Sequence, residues 1–162
     1  MSTRSLIAYA DHSGSIASTY CHMDGYTSYN GAILLAHWNS YERAKLLVLN
    51  GYISSLKFTI EEINSTRANT DRYDVHGSEY GFIRDANALF HEYLYLYKDG
   101  AWWVSMAEDF DTPDGYQDRQ YYHSKFSKLT EHVKPSDMRD LFGGEADWNE
   151  MLDKPAFELK TI

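Results

Sequence analysis

Apolar and polar positions alternate with a period of two at the start of the chain. Leu6, Ala8 and Ala10 fall on one side of Ser5–Ala10, and Ile7 and Tyr9 fall on the other. That is the pattern of a strand. Asp11-His-Ser-Gly-Ser15 supplies turn residues, with Gly14 free to adopt a positive φ, and Ile16–Cys21 reads as the returning strand. Asp24-Gly25 is a further turn signal. From residue 31 the period changes. Ile33, Leu34, His37 and Trp38 recur at helical spacing, and Asn39-Ser-Tyr-Glu42 reads as a capping box opening a second helix. Ala44, Leu46, Leu47 and Leu49 continue that helix, and Asn50-Gly51 stops it.

Residues 52–80 give weaker signals. Tyr52–Ile63 fits a short strand or a helix equally, and 64–81 is polar and turn-rich, the composition of an exposed loop. Asp85 is placed to cap a short helix running from Ala86. The strongest hairpin pattern spans Glu92–Met106: Tyr93, Tyr95 and Tyr97 share one face, Leu94 and Leu96 the other, and Lys98-Asp-Gly100 makes the turn. Beyond it, 108–119 reads as an acidic loop and 121–133 as a strand with a helical turn. Ser136 reads as the cap of a short helix ended by Gly143-Gly144.

The expected fold is therefore α+β. One antiparallel sheet contains hairpins near 5–22 and 92–106, with short helices near 31–50 packed on one face and tyrosines exposed on the other. The chain of 162 residues fits one domain over 1–154, with 155–162 as a flexible tail.

Composition narrows the function classes. A net charge of −9 argues against direct nucleic-acid binding, which rests on clustered Lys and Arg. It favours instead a partner with a basic surface. The single cysteine, Cys21, allows no disulfide within the chain and fits a reducing, cytoplasmic setting. No apolar run reaches the roughly 20 residues a membrane helix requires. No secretory leader pattern opens the sequence.

Three stretches together carry a resemblance: Met1-Ser-Thr-Arg-Ser5, the turn Tyr20-Cys-His-Met-Asp-Gly-Tyr26, and the hairpin Glu92–Val104, with Leu34-Leu35, Trp38, Tyr41 and Leu46–Leu56 between them. They resemble a family of small proteins common in phages and prophages that has no assigned activity to carry over. The resemblance covers residues 1–56 well, 90–105 moderately and the C-terminal third hardly at all. Met23 stands where the family usually has Trp, Thr27 where it has Pro, and Gly81–Ala88 only partly matches its Arg-Asp-rich segment. The resemblance implies a phage or mobile-element protein acting in the cytoplasm of a bacterial host.

Candidate chemistry begins in Tyr20–Tyr26. In a strand, Tyr20, His22 and Asp24 share a face and Cys21 points the other way, so Cys21 and His22 cannot form a nucleophile–base pair. Cys21 reads as a small buried hydrophobe, and the stretch as a turn first, with His22 and Asp24 as candidates for acid–base work. The seven histidines are scattered, with no zinc spacing. Asp109-Phe-Asp111-Thr-Pro-Asp114-Gly115 departs from a calcium loop at its third ligand. There is no Walker A sequence, GxGxxG or GxSxG, and no cofactor or metal is expected.

The remaining signal is an acidic, aromatic C-terminal half. Glu108, Asp109, Asp111, Asp114, Asp118, Asp140 and Asp147, interleaved with Tyr116, Tyr121 and Trp148, form the expected partner-binding surface. The leading expectation is an accessory protein that binds and modulates a host protein, such as a defence or nucleic-acid-handling factor. The alternatives are a small hydrolase or nucleotide-processing enzyme using His22 and Asp24, and a nucleotide-binding module with tyrosines stacked on the base.

Overall fold

The structure, a computed structural model, describes residues 3–66, 72–88, 91–110, 120–123 and 125–142, with side chains for all of these except 108–110, 120–122 and 139–142. In chain order the strands are β1 (Ser5–Ala10), β2 (Ile16–Cys21), β3 (Asp74–His76), β4 (Tyr93–Lys98), β5 (Ala101–Met106), β6 (Glu108–Phe110), β7 (Gln120–Tyr122) and β8 (Ser127–Lys128). The helices are α1 (Ala32–His37), α2 (Tyr41–Leu49), α3 (Ile60–Thr66), α4 (Glu79–Ala88) and α5 (Pro135–Phe142). Six strands form one sheet in the order β3-β2-β1-β4-β5-β8, and β6 pairs separately with β7.

Both predicted hairpins form. β1 and β2 pair antiparallel, with Ala8 opposite Ser18. β4 and β5 pair through the turn Asp99-Gly100, whose φ angles of 52° and 79° are the paired positive values of a tight hairpin turn. The expectation of an antiparallel sheet is corrected at the centre: β1 and β4 run parallel, with Leu6 opposite Leu94. Short turns can only fold a strand back on itself. Between the hairpins the chain runs through α1–α3, the edge strand β3 and α4 before β4 enters beside β1, a long connection of the kind a parallel pair requires.

The alternation read from the sequence divides the sheet into two faces. Ile7, Tyr9, Cys21, Tyr95, Tyr97, Trp102 and Val104 bury against Ile33, Leu34, Trp38, Leu47 and Val48 of the 32–49 segment. Leu6, Ala8, Ile16, Leu94 and Leu96 face the other way and pack against Phe82 and Ala86 of α4. The tyrosines of β4 are thus not an exposed face. Tyr95 is fully buried under the helices, and its hydroxyl donates to the Gly25 carbonyl at 2.5 Å.

Several local readings shift by a few residues. Ser40, rather than Asn39, caps α2, accepting from the Arg43 amide at 3.1 Å. The stop at Asn50-Gly51 forms, with Gly51 at φ 91°. Ile53 makes an isolated bridge to Cys21. The expected loop at 64–81 contains the end of α3, the edge strand β3 and the start of α4. Asp85 lies inside α4 instead of capping a later helix. Ser78 caps it, accepting from the Gly81 amide at 3.1 Å. Pro135 starts α5, so Ser136 sits inside it, and the Asp137 carboxylate accepts from the Lys134 amide at 2.8 Å. Proline is suited to that first helical position because its missing N–H would be unpaired there anyway.

Candidate functional site

The turn Tyr20–Tyr26 proves architectural at its centre. Asp24 takes a left-handed φ of 57° and accepts from the Tyr26 hydroxyl at 3.0 Å. Gly25 donates its amide to the Thr3 carbonyl at 2.9 Å, and a Cβ there would lie 2.8 Å from that oxygen. Only glycine fits. Cys21 is fully buried, receives Asn30 Nδ2 at 3.3 Å, and has its thiol pushed up to about 11, chiefly by burial. It carries no thiolate chemistry at neutral pH. His22 is exposed and bonds through Nδ1 to the Tyr20 hydroxyl at 2.8 Å. The hydrogen bond shown at Asp24 comes from Tyr26.

The acidic surface is only partly within view. Glu108 and Asp109 lie on β6, in register with Tyr122 and Tyr121 of β7, and Asp140 lies in α5. Asp111, Asp114, Tyr116, Asp118, Asp147 and Trp148 lie outside the described residues.

What the structure assembles instead is a constellation the sequence reading missed. On the α4 side of the sheet the Ser18 hydroxyl lies 2.9 Å from His76 Nε2, and His76 Nδ1 lies 2.7 Å from Asp85 Oδ2. Each member is set by its element. β3 pairs with β2 so that Ser18 faces Asp74 and Ile16 faces His76. His76 is then the diagonal cross-strand neighbour of Ser18, within reach on the same face. Phe82, Asp85 and Ala86 recur at helical spacing on α4. Phe82 and Ala86 plug into the sheet, which carries Asp85 over the imidazole. A Lys98–Glu79 ion pair at 2.7 Å ties the start of α4 to the end of β4.

The protonation pattern follows from the partners. Asp85 has its carboxyl held below the usual range, first by the hydrogen bond from His76 and then by Arg84. It is ionised at neutral pH and can only accept. In the neutral imidazole this places the proton on Nδ1 of His76 and the Nε2 lone pair against the Ser18 hydroxyl. That is the tautomer a general base needs.

Ser18, His76 and Asp85 line an open cavity of about 310 Å³ shared with Arg4, Tyr20 and His91. The Tyr20 ring lies 5.4 Å from His91 and 5.7 Å from Tyr52. His91 is buried, and burial together with the Arg4 charge lowers its pKa to about 4, so it is neutral. Its Nδ1 has no hydrogen-bond partner.

A second serine–histidine pair shows what distinguishes this one. Ser105 Oγ lies 2.9 Å from His123 Nδ1, but His123 Nε2 is consumed by the His91 carbonyl at 2.6 Å. Here a backbone carbonyl, not a carboxylate, orients the ring. That pair is a brace. In the cleft between the two hairpin turns, lined by Asp11, His12, Tyr41 and Asp99, the Asp11 carboxylate is occupied by Ser13 and Ser15.

Among the described residues no group of three or more His, Cys, Asp or Glu side chains is placed to hold a metal ion, and no helix is long and apolar enough to cross a membrane. Set against protein-family models, curated proteins and solved structures, the chain matches none.

Proposed function

We propose that this protein is a small hydrolase of acyl bonds, with Ser18 as nucleophile, His76 as general base and Asp85 as the group that orients and stabilises the imidazole. One observation carries the reading: the continuous path Ser18 Oγ–His76 Nε2, His76 Nδ1–Asp85 Oδ2 at 2.9 and 2.7 Å, opening on a cavity. In the first step Ser18 Oγ bonds to the substrate carbonyl carbon as its proton passes to His76 Nε2. The imidazolium, held by Asp85, then gives that proton to the departing alkoxide, leaving an acyl-serine. Water repeats the sequence, releasing the acid and restoring the hydroxyl. The backbone of Ser18 lies within the β2 ladders, so the oxyanion calls for a side-chain donor. Tyr20 lies two residues on along the same face, at about 3.3 Å per residue, and its hydroxyl must leave His22 Nδ1, to which it is bonded at 2.8 Å, to serve as that donor.

The test is hydrolysis of a p-nitrophenyl ester by the full chain. Ser18→Ala and Asp85→Asn should each lower kcat/KM by about 10³–10⁴, the loss typical of a member of such a triad. Equal rates in wild type and Ser18→Ala would end this reading.

A second reading keeps the acidic half as a surface for a basic protein of a bacterial host, in the phage-like context implied by the resemblance. It is favoured by the register that sets Glu108 and Asp109 opposite Tyr122 and Tyr121, together with the −9 charge. Salt-sensitive capture of one host protein, lost in Glu108→Lys/Asp109→Lys, is its expected result. Capture unchanged by that charge reversal would contradict it.

A further inference from the structure

We infer that the substrate of this cavity is an ester carrying a second, anionic group remote from the scissile carbonyl, and that Arg4 is the residue that selects it. The inference rests on the hydrolase reading above. Its ground is the charge balance of the cavity wall. Two carboxylates line it, and each already has a cation: Asp74 pairs with Arg72 at 3.7 Å, and Asp85 with Arg84 at 3.4 Å besides its bond to His76. Arg4 is exposed and lines the same wall. Among the described residues it pairs with no carboxylate. In a chain of net charge −9, a guanidinium left without an anion at a cavity is a ready fork for carboxylate or phosphate oxygens.

Register fixes where that charge sits. Ser18 is opposite Ala8, and Tyr20 is opposite Leu6. Arg4 precedes Ala8 by four positions, so its backbone is roughly 13 Å along the strand from the level of the nucleophile, at about 3.3 Å per residue. The backbone there is pinned: the Arg4 carbonyl accepts from the Glu92 amide at 3.2 Å, and the neighbouring Thr3 carbonyl from Gly25 at 2.9 Å. The long side chain covers part of the distance back toward the cavity. Its charge therefore meets the far end of a substrate, beyond Tyr20, rather than the oxyanion at Ser18. Neutral His91 beside Tyr20 adds no competing charge.

Two p-nitrophenyl esters of equal chain length test this: the neutral valerate and the glutarate half-ester, which ends in a carboxylate. A 4-phosphonobutanoate ester distinguishes carboxylate from phosphonate preference. Wild type should favour at least one of the anionic esters by about tenfold or more in kcat/KM, mostly through KM, the gain of one charge-assisted contact. In Arg4→Gln that ratio should fall to about one. Equal use of all three esters by wild type, or an Arg4→Gln variant that slows all of them in proportion, overturns the inference while leaving the hydrolase reading standing. No Ser18-dependent cleavage of any ester would overturn both.

Discussion

Alternate residues of β2 meet two different environments. Ala17, Thr19 and Cys21 look toward the helices, and Ile16, Ser18 and Tyr20 toward α4 and the cavity. Both sets contain polar atoms. On the helix side Thr19 Oγ1 and Asn30 Oδ1 are buried without hydrogen-bond partners, which costs stability, and Trp38, Trp102, Tyr95 and their neighbours pack that face. On the other side the Ser18 hydroxyl is partnered, the partner is oriented by a carboxylate, and Ser18, itself only 1% exposed, lines an open cavity. A buried polar group becomes a candidate for chemistry when it is both poised and reachable. Polarity alone does not distinguish the two faces.

The contrast can be broken from the sealed side. Trp102 is 1% exposed, donates Nε1–H to the Trp38 carbonyl at 3.0 Å and meets Tyr97 edge-on. Trp102→Ala should cost about 3–5 kcal/mol of unfolding free energy, read from denaturant midpoints, because it empties a packed core site. The same truncation should leave the reactivity of Ser18 per folded molecule intact. A cost below about 1 kcal/mol would mean the helix side is not the packed core described here.

A smaller effect is expected at the turn that joins the two sides. Gly25→Ala brings a Cβ to 2.8 Å from the Thr3 carbonyl oxygen and 3.0 Å from Ser5 Cβ. Because the obstacle is largely backbone, the start of β1 must shift, at about 1–3 kcal/mol. Thermal melts should show it, and an unchanged Tm would remove the close approach from the account.

The smallest effect is a pH dependence that draws on both faces. His37 on the helix side and His91 on the cavity side are each lowered to about 4, mainly by burial, and His123 is lowered by the same cause. The unfolded chain takes up these protons near the ordinary histidine value of about 6.5. Stability is therefore full above that pH and falls as pH drops from about 6.5 toward 4. Asp85, lowered from 3.8, adds a further loss only below that range. Urea midpoints at pH 7.5, 5.5 and 4.5 should decline in that order, and His37→Phe should remove the helix-side share. A flat profile would contradict the burial of these rings.

Much of the fold was legible because it is written in local periodicity. The alternation in Ser5–Ala10 and in Tyr93–Tyr97, the Asp99-Gly100 turn and the spacing of Ile33, Leu34, His37 and Trp38 all gave the right elements. Two things were not. The parallel β1–β4 pairing depends on where the intervening helices return the chain, which no local pattern encodes. Phenols suit surfaces, which points to an exposed face, yet the helix layer covers the tyrosines of β4 and the Gly25 carbonyl accepts from the Tyr95 hydroxyl. The site was hidden for the same reason as the parallel pair. Ser18, His76 and Asp85 come from an inner strand, an edge strand and a helix, and the last two sat in a stretch read as loop and cap. The available hint was Ser18 itself, a lone hydroxyl between Ile16 and Tyr20 on one strand face.

The central claim is that Ser18 is an activated nucleophile, and the most direct measurement is covalent trapping. The full chain is incubated with a fluorophosphonate at neutral pH, and its mass and modified peptide are then read. The account predicts one phosphonyl group per molecule, located on Ser18 and lost in His76→Ala while that variant still melts cooperatively. No adduct, or an adduct elsewhere, would contradict it and return Ser18, His76 and Asp85 to the role of a strut between β2, β3 and α4.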